Sequence, residues 1–146
     1  MRILAPRRAR AVAVLLGLVL CACVEASSGV VVVVAAGEPV PELSPAQIED
    51  IFLGRSNRFP DGRPAMPIDR SEGSPVRQAF YSEVLGRTLA QVKAHWSKII
   101  FTGRGRPPRQ LASADELRKL LRDNPAAISY MLPDEIDDSV RVVAAR

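Results

Sequence analysis

Cysteine, histidine and aromatic residues are scarce in this chain, and each scarcity closes off a class of chemistry. Both cysteines, Cys21 and Cys23, fall within the first 26 residues. Everything after Ala26 is free of thiols, which excludes a disulfide framework and a cysteine metal site there. His95 is the sole histidine, so a multi-histidine metal centre is excluded as well. A serine nucleophile would have only that imidazole as its base. Ser74 lies in Glu-Gly-Ser-Pro-Val, not in a Gly-x-Ser-x-Gly elbow, and a serine–histidine hydrolase is rejected on both grounds. Asp134, Glu135, Asp137 and Asp138 lack calcium-loop spacing and read as a solvated face. No enzyme activity and no cofactor are expected.

An excess of one charge is also missing once the N-terminus is set aside. Of 20 basic and 16 acidic residues, four arginines and one glutamate lie in positions 1–26, leaving 16 against 15. The remaining net charge of +1 argues against a nucleic-acid partner. The apolar run from Ala11 to about Ala22 is too short for a comfortable membrane span. Behind Arg2, Arg7, Arg8 and Arg10 it has the layout of a secretory signal peptide. Two exits fit this layout. Cleavage after Ala26 would release a soluble periplasmic or secreted domain. The Leu20-Cys21-Ala22-Cys23 stretch would instead leave Cys23 lipidated. Residues 1–26 are therefore read as a signal peptide and 27–146 as one domain, a length that suits one core and not two.

What remains is patterned. The unbroken β-branched run Gly29 to Ala36 predicts a strand buried on both faces, as in a parallel sheet covered by helices. Ser44/Gln47, Thr88/Gln91 and Ser113/Glu116 have capping-box spacing and predict three helix starts. Their inward residues are Ile48, Ile51 and Phe52; then Leu89, Val92, Trp96, Ile99 and Ile100; then Leu117, Leu120 and Leu121. A fourth helix is predicted from Pro75 to Leu85, after a short strand Ala65–Ile68. Ala126–Leu132 and the Val140 segment read as two further strands, the last at an edge. Strands and helices in this order predict an α/β fold.

The stretch Arg70-Ser71-Glu72-Gly73-Ser74-Pro75-Val76 precedes that fourth helix. Two readings of it stand. In one, Ser74 is a plain N-cap with Pro75 at the first helical position. In the other, the guanidinium of Arg70, the hydroxyls of Ser71 and Ser74 and the amides near Gly73 and Val76 converge on an oxyanion. The loop Phe101–Leu111 carries Arg104, Arg106 and Arg109 among glycines and prolines. It has no aromatic residue inside the arginine cluster to stack bases, so an exposed basic loop is preferred over a nucleic-acid contact.

Four stretches, LSPAQIEDIFLG, PIDRSEGSPVRQAFY, HWSKIIFTGRG and NPAAISYM, in this order, resemble the phosphate-type periplasmic substrate-binding proteins of ABC transporters. The resemblance covers most of residues 30–143. It implies a single lobe of a type II periplasmic binding protein, with a small, mostly parallel sheet flanked by about four helices. It also implies that Arg70, Gly73 and Ser74 grip the anion, probed first as phosphate, in ABC-type uptake or sensing. Arg104 or Arg106 would complete the site if their loop folds over it. The chain departs from the family pattern at Pro75 and Val76, which replace a glycine and a threonine. Ala126 and Ser129 likewise replace two glycines, and AAGEPVPELS lacks a hydroxyl-rich loop. These departures carry an alternative: an interaction module that kept the fold, lost the ligand, and docks a membrane transporter or sensor component through Gly103–Arg109. A homodimer facing two half-sites together reconciles the two.

Overall fold

Five strands join in one sheet in the computed structural model, which describes residues 29–144. The segment read above as a signal peptide, Cys23 included, lies outside the described residues. In chain order the elements are β1 (Val31–Ala35), α1 (Pro45–Phe52), β2 (Met66–Arg70), α2 (Pro75–Ala79), α3 (Leu89–Phe101), β3 (Arg109–Leu111), α4 (Ala114–Asp123), β4 (Ala127–Met131) and β5 (Val140–Ala144). A π-helical turn, Phe80–Val84, extends α2, and a 3-10 turn, Pro133–Glu135, follows β4.

The strand order is β3-β2-β4-β1-β5. β2 runs parallel to β3 and β4, whereas β1 pairs antiparallel with β4 and β5. The sheet is thus mixed, and the parallel expectation holds only for β2 with its two neighbours. β1 is buried on both faces for a different reason: it sits between two strands with an apolar layer on each side. Val32 and Val34 face α1, α2 and α3, while Val31 and Val33 face α4. Both layers demand β-branched residues, so the run shows no alternation.

Helix starts follow the capping chemistry. Ser44 and Thr88 form reciprocal capping boxes with Gln47 and Gln91. Ser113 Oγ accepts the Glu116 N–H at 3.1 Å without a reciprocal bond. On α3 only Val92 and Trp96 are buried; Leu89 and Ile99 are half-buried, and Ile100 is 55% exposed. That inward stripe is narrower than expected. The fourth expected helix changes pitch at Phe80. Leu85 N–H reaches back to Phe80 O, an i to i−5 bond, and the wider turn admits both Phe80 and Tyr81 to the core. Phe80 stacks on Tyr130 with centroids 3.8 Å apart, and Phe52 closes against Phe80 at 4.7 Å.

The strand expected at Ala65–Ile68 starts one residue later and runs two residues further, to include Asp69 and Arg70. The short β3 within the proline-rich loop had no sequence signal beyond Gln110-Leu111. No helix among the described residues is long and apolar enough to cross a membrane.

Candidate oxyanion site at the carboxyl end of β2

Strand alternation separates two neighbouring charges. Arg70 shares the face of Ile68, which packs in the α4 layer. Asp69 points the other way, into the layer of Tyr81 and Tyr130. Both are nearly fully buried, Asp69 at 2% exposure and Arg70 at 6%. Buried charges demand partners, and each has a different set.

Asp69 is the hub of a network on the α2 side. Its carboxylate accepts from Arg77 Nε at 2.9 Å, from Tyr81 Oη at 3.1 Å, from Tyr130 Oη, and from the Arg70 N–H at 2.8 Å. Burial pushes both phenol pKa values well above the ordinary tyrosine range, and the Asp69 charge adds to that push. Burial pulls Arg77 down, but its hydrogen bond to Asp69 and the attraction between them outweigh this, and its pKa is raised. The network fastens α2 and the π turn to the end of β2. Sequence reasoning missed it, since nothing local marks Asp69, Tyr81 and Tyr130 as neighbours.

Arg70 is engaged on the α4 side. Its guanidinium meets Glu135 in a two-pronged pair, Nη1 to Oε2 and Nη2 to Oε1, each at 3.1 Å. Glu135 Oε2 also accepts the Leu132 N–H at 3.0 Å, and the Glu135 carbonyl accepts from Arg118. Glu135 is therefore a half-buried partner of Arg70, which corrects its reading as part of a solvated face. Arg70 Nε is buried and has no acceptor among the described residues.

The turn after β2 commits two of its amides and leaves its hydroxyls open. Ser71 N–H bonds the Leu111 carbonyl at 3.1 Å, tying the carboxyl ends of β2 and β3 together. Ser74 N–H closes the turn on Ser71 O at 3.1 Å, and Gly73 adopts φ +80°, open to glycine without strain. Ser74 occupies the N-cap position, yet its side chain makes no cap hydrogen bond. The hydroxyls of Ser71 and Ser74 have no partner among the described residues, and the Val76 N–H belongs to the unpaired first helical turn. The chain leaves β2 toward the α2 and α3 face and leaves β3 toward the α4 face. Carboxyl ends of strands at such a divergence are the usual seat of ligands in α/β sheets.

Arg70, Ser71, Gly73, Ser74 and Val76 are thus contiguous around the end of β2, although no hydrogen bond joins the Arg70 guanidinium to the other four among the described residues. Arg106 lies elsewhere. It lines a groove with Met66 and Pro67 at the start of β2, about 13 Å along the strand from Arg70 by strand rise. Arg104 is exposed in the same loop. His95, half-buried, hydrogen-bonds the Leu53 carbonyl through Nε2 at 2.8 Å, a boundary role that leaves it outside the site.

No protein-family model and no curated protein sequence matches the chain. Solved structures do match. A candidate phosphate ABC transporter substrate-binding protein from Clostridium perfringens, solved with bound phosphate, aligns with TM-score 0.61 and 23% identity over 78% of this chain. An ABC-type phosphate transport receptor from Vibrio cholerae aligns with TM-score 0.61 and 18% identity, and PstS from Borrelia burgdorferi with 0.58 and 10%, each over the same share. The aligned part is 43%, 44% and 46% of those three chains, respectively. At these identities the likeness establishes the fold: a single α/β lobe of the substrate-binding-protein type, spanning less than half of the proteins it resembles.

Proposed function

We propose that this protein works outside the cytoplasm as a substrate-binding-like lobe that takes an oxyanion, phosphate foremost, in ABC-type uptake or sensing. The observation that carries this reading is the Arg70–Glu135 pair. A buried guanidinium at the carboxyl end of β2 already holds two carboxylate oxygens in the fork geometry that phosphate also fits. Its buried Nε retains an unused donor. The solved structures of similar fold include one with bound phosphate. In this reading Glu135 is the internal occupant of the cation, and an incoming oxyanion competes with it. Ser71, Ser74 and the amides at Gly73 and Val76 supply the remaining donors. Pro75 contributes no N–H, and a lone lobe excludes less water than a closed pair, so modest affinity is expected.

The test is thermal unfolding of the protein against phosphate, sulfate, arsenate and molybdate. Phosphate at ~100 times its dissociation constant should stabilise the fold by about 2.7 kcal/mol. Arg70→Ala leaves Glu135 without its partner and should itself cost on the order of 3 kcal/mol. The paired replacement Arg70→Met with Glu135→Leu avoids the stranded charge, so it should fold and show no phosphate shift. Glu135→Gln removes the internal competitor. It should be less stable without anion yet gain more from phosphate than the unaltered protein. A wild-type protein indifferent to every anion would favour the alternative, an interaction module that has lost its ligand and in which Arg70–Glu135 is purely a structural pair.

A further inference from the structure

At the opposite end of β2 from Arg70, a groove of about 350 Å³ opens between the end of α1, the start of β2 and the loop before β3. Its apolar wall includes Ile51, Ala65, Met66 and Trp96, and Arg106 and Arg109 stand on its rim. Met66, the first residue of β2, is 37% exposed. The Trp96 indole packs directly on Gly54, where an added Cβ would lie 2.7 Å from Trp96 Cη2. Only glycine at position 54 leaves room for the indole there. Trp96 Nε1–H is buried and finds no acceptor among the described residues, which leaves a donor unused beside an apolar surface.

The rim arginines are not ion-paired among the described residues, although Arg109 also borders a shallow depression with Glu116 and Asp123 on its other side. No Asp or Glu occurs between Glu83 and Asp115, while Lys93, Lys98, Arg104, Arg106 and Arg109 all lie within that span. Among the described residues, neither Arg106 nor Arg109 has a carboxylate within ion-pair distance; the ion pairs of this molecule lie elsewhere. Pro107 and Pro108 join the two arginines, restricting the backbone between them. A concave apolar wall flanked by two cations at restrained spacing suits an extended chain that buries an apolar side chain and offers carboxylates to the rim.

We infer that this groove is a docking site for an acidic segment of a partner protein, with an apolar side chain against Trp96 and Met66 and carboxylates on Arg106 and Arg109. The site is separate from the Arg70 turn and does not depend on oxyanion binding there. Trp96 is the chain's single tryptophan, so its fluorescence reports occupancy of the groove without a label.

The experiment titrates the protein with a pool of end-capped hexapeptides alternating Asp or Glu with Leu, Val or Phe. A second pool carries Asn and Gln in place of the acids, and a third arm uses phosphatidylglycerol vesicles. The acidic pool should shift Trp96 emission saturably, with affinity falling as salt rises. Arg106→Glu combined with Arg109→Glu should weaken it at least tenfold while thermal unfolding stays unchanged, because both side chains are on the rim. Ser74→Ala, which touches only the proposed oxyanion turn, should leave peptide binding intact. An absent shift, an equal response to the Asn/Gln pool, or a response confined to vesicles would each overturn the proposal.

Discussion

Asp69 illustrates how one buried carboxylate can organise a whole strand end. Two phenols, a guanidinium and a backbone amide converge on it, so its charge is satisfied from four directions. Removing it would strand Arg77, itself largely buried, and leave Tyr81 and Tyr130 without their acceptor. Asp69→Ala is therefore expected to cost on the order of 3–5 kcal/mol, read as a lowered urea midpoint with unchanged slope. A cost near zero would mean that water replaces the carboxylate freely, and that the network contributes little to holding α2. Arg70, one residue on, belongs to a separate circuit despite its amide's bond to Asp69. Its guanidinium is turned to the opposite face by strand alternation.

At the scale of elements, the helix starts divide into those that cap with a side chain and one that does not. Thr88 and Ser113 use their hydroxyls on the backbone of their helices, and replacing either by alanine should cost about 1 kcal/mol. Ser74 occupies the same position on α2 with its hydroxyl uncommitted. Ser74→Ala should consequently change stability by only a few tenths of a kcal/mol while weakening any phosphate response. Urea unfolding of the three variants side by side checks the contrast; a loss at Ser74 equal to the other two would make it an ordinary cap. The π turn after α2 serves the core. By widening the helix at Phe80 it lets two consecutive aromatic residues enter the layer with Phe52 and Tyr130.

For the whole molecule, the two buried tyrosines link folding to alkaline pH. Their pKa values are raised in the fold, so the unfolded chain ionises first, near the ordinary tyrosine value of about 10. Stability from this source is fully present below about pH 10 and is lost as pH rises above it, at about 1.4 kcal/mol per tyrosine per pH unit. Denaturant titrations between pH 8 and 11 should show a plateau followed by a steep decline. Tyr130→Phe should reduce that steepness, and an unchanged slope would place the alkaline transition in other groups. The same tyrosines tie the larger apolar layer to the polar end of β2, so unfolding of the core and loss of the site should coincide.

Local chemistry determined much of this fold. Capping residues, glycine stops and apolar stripes mark α1, α3 and α4, and the β-branched run marks β1, because those signals act within a few residues along the chain. The residues proposed for an anion site, Arg70 to Val76, were equally visible, as arginine, hydroxyls and glycine ahead of a proline-started helix. The tertiary structure alone decided the rest. It set the antiparallel placement of β1, since a strand buried on both faces reads alike in either direction. It matched Arg70 with Glu135 and Asp69 with Arg77, Tyr81 and Tyr130, pairings spanning 8 to 65 positions. It put Arg106 at the far end of β2 from Arg70. Each of these depends on which strands lie side by side, and in this chain the sheet order departs from sequence order.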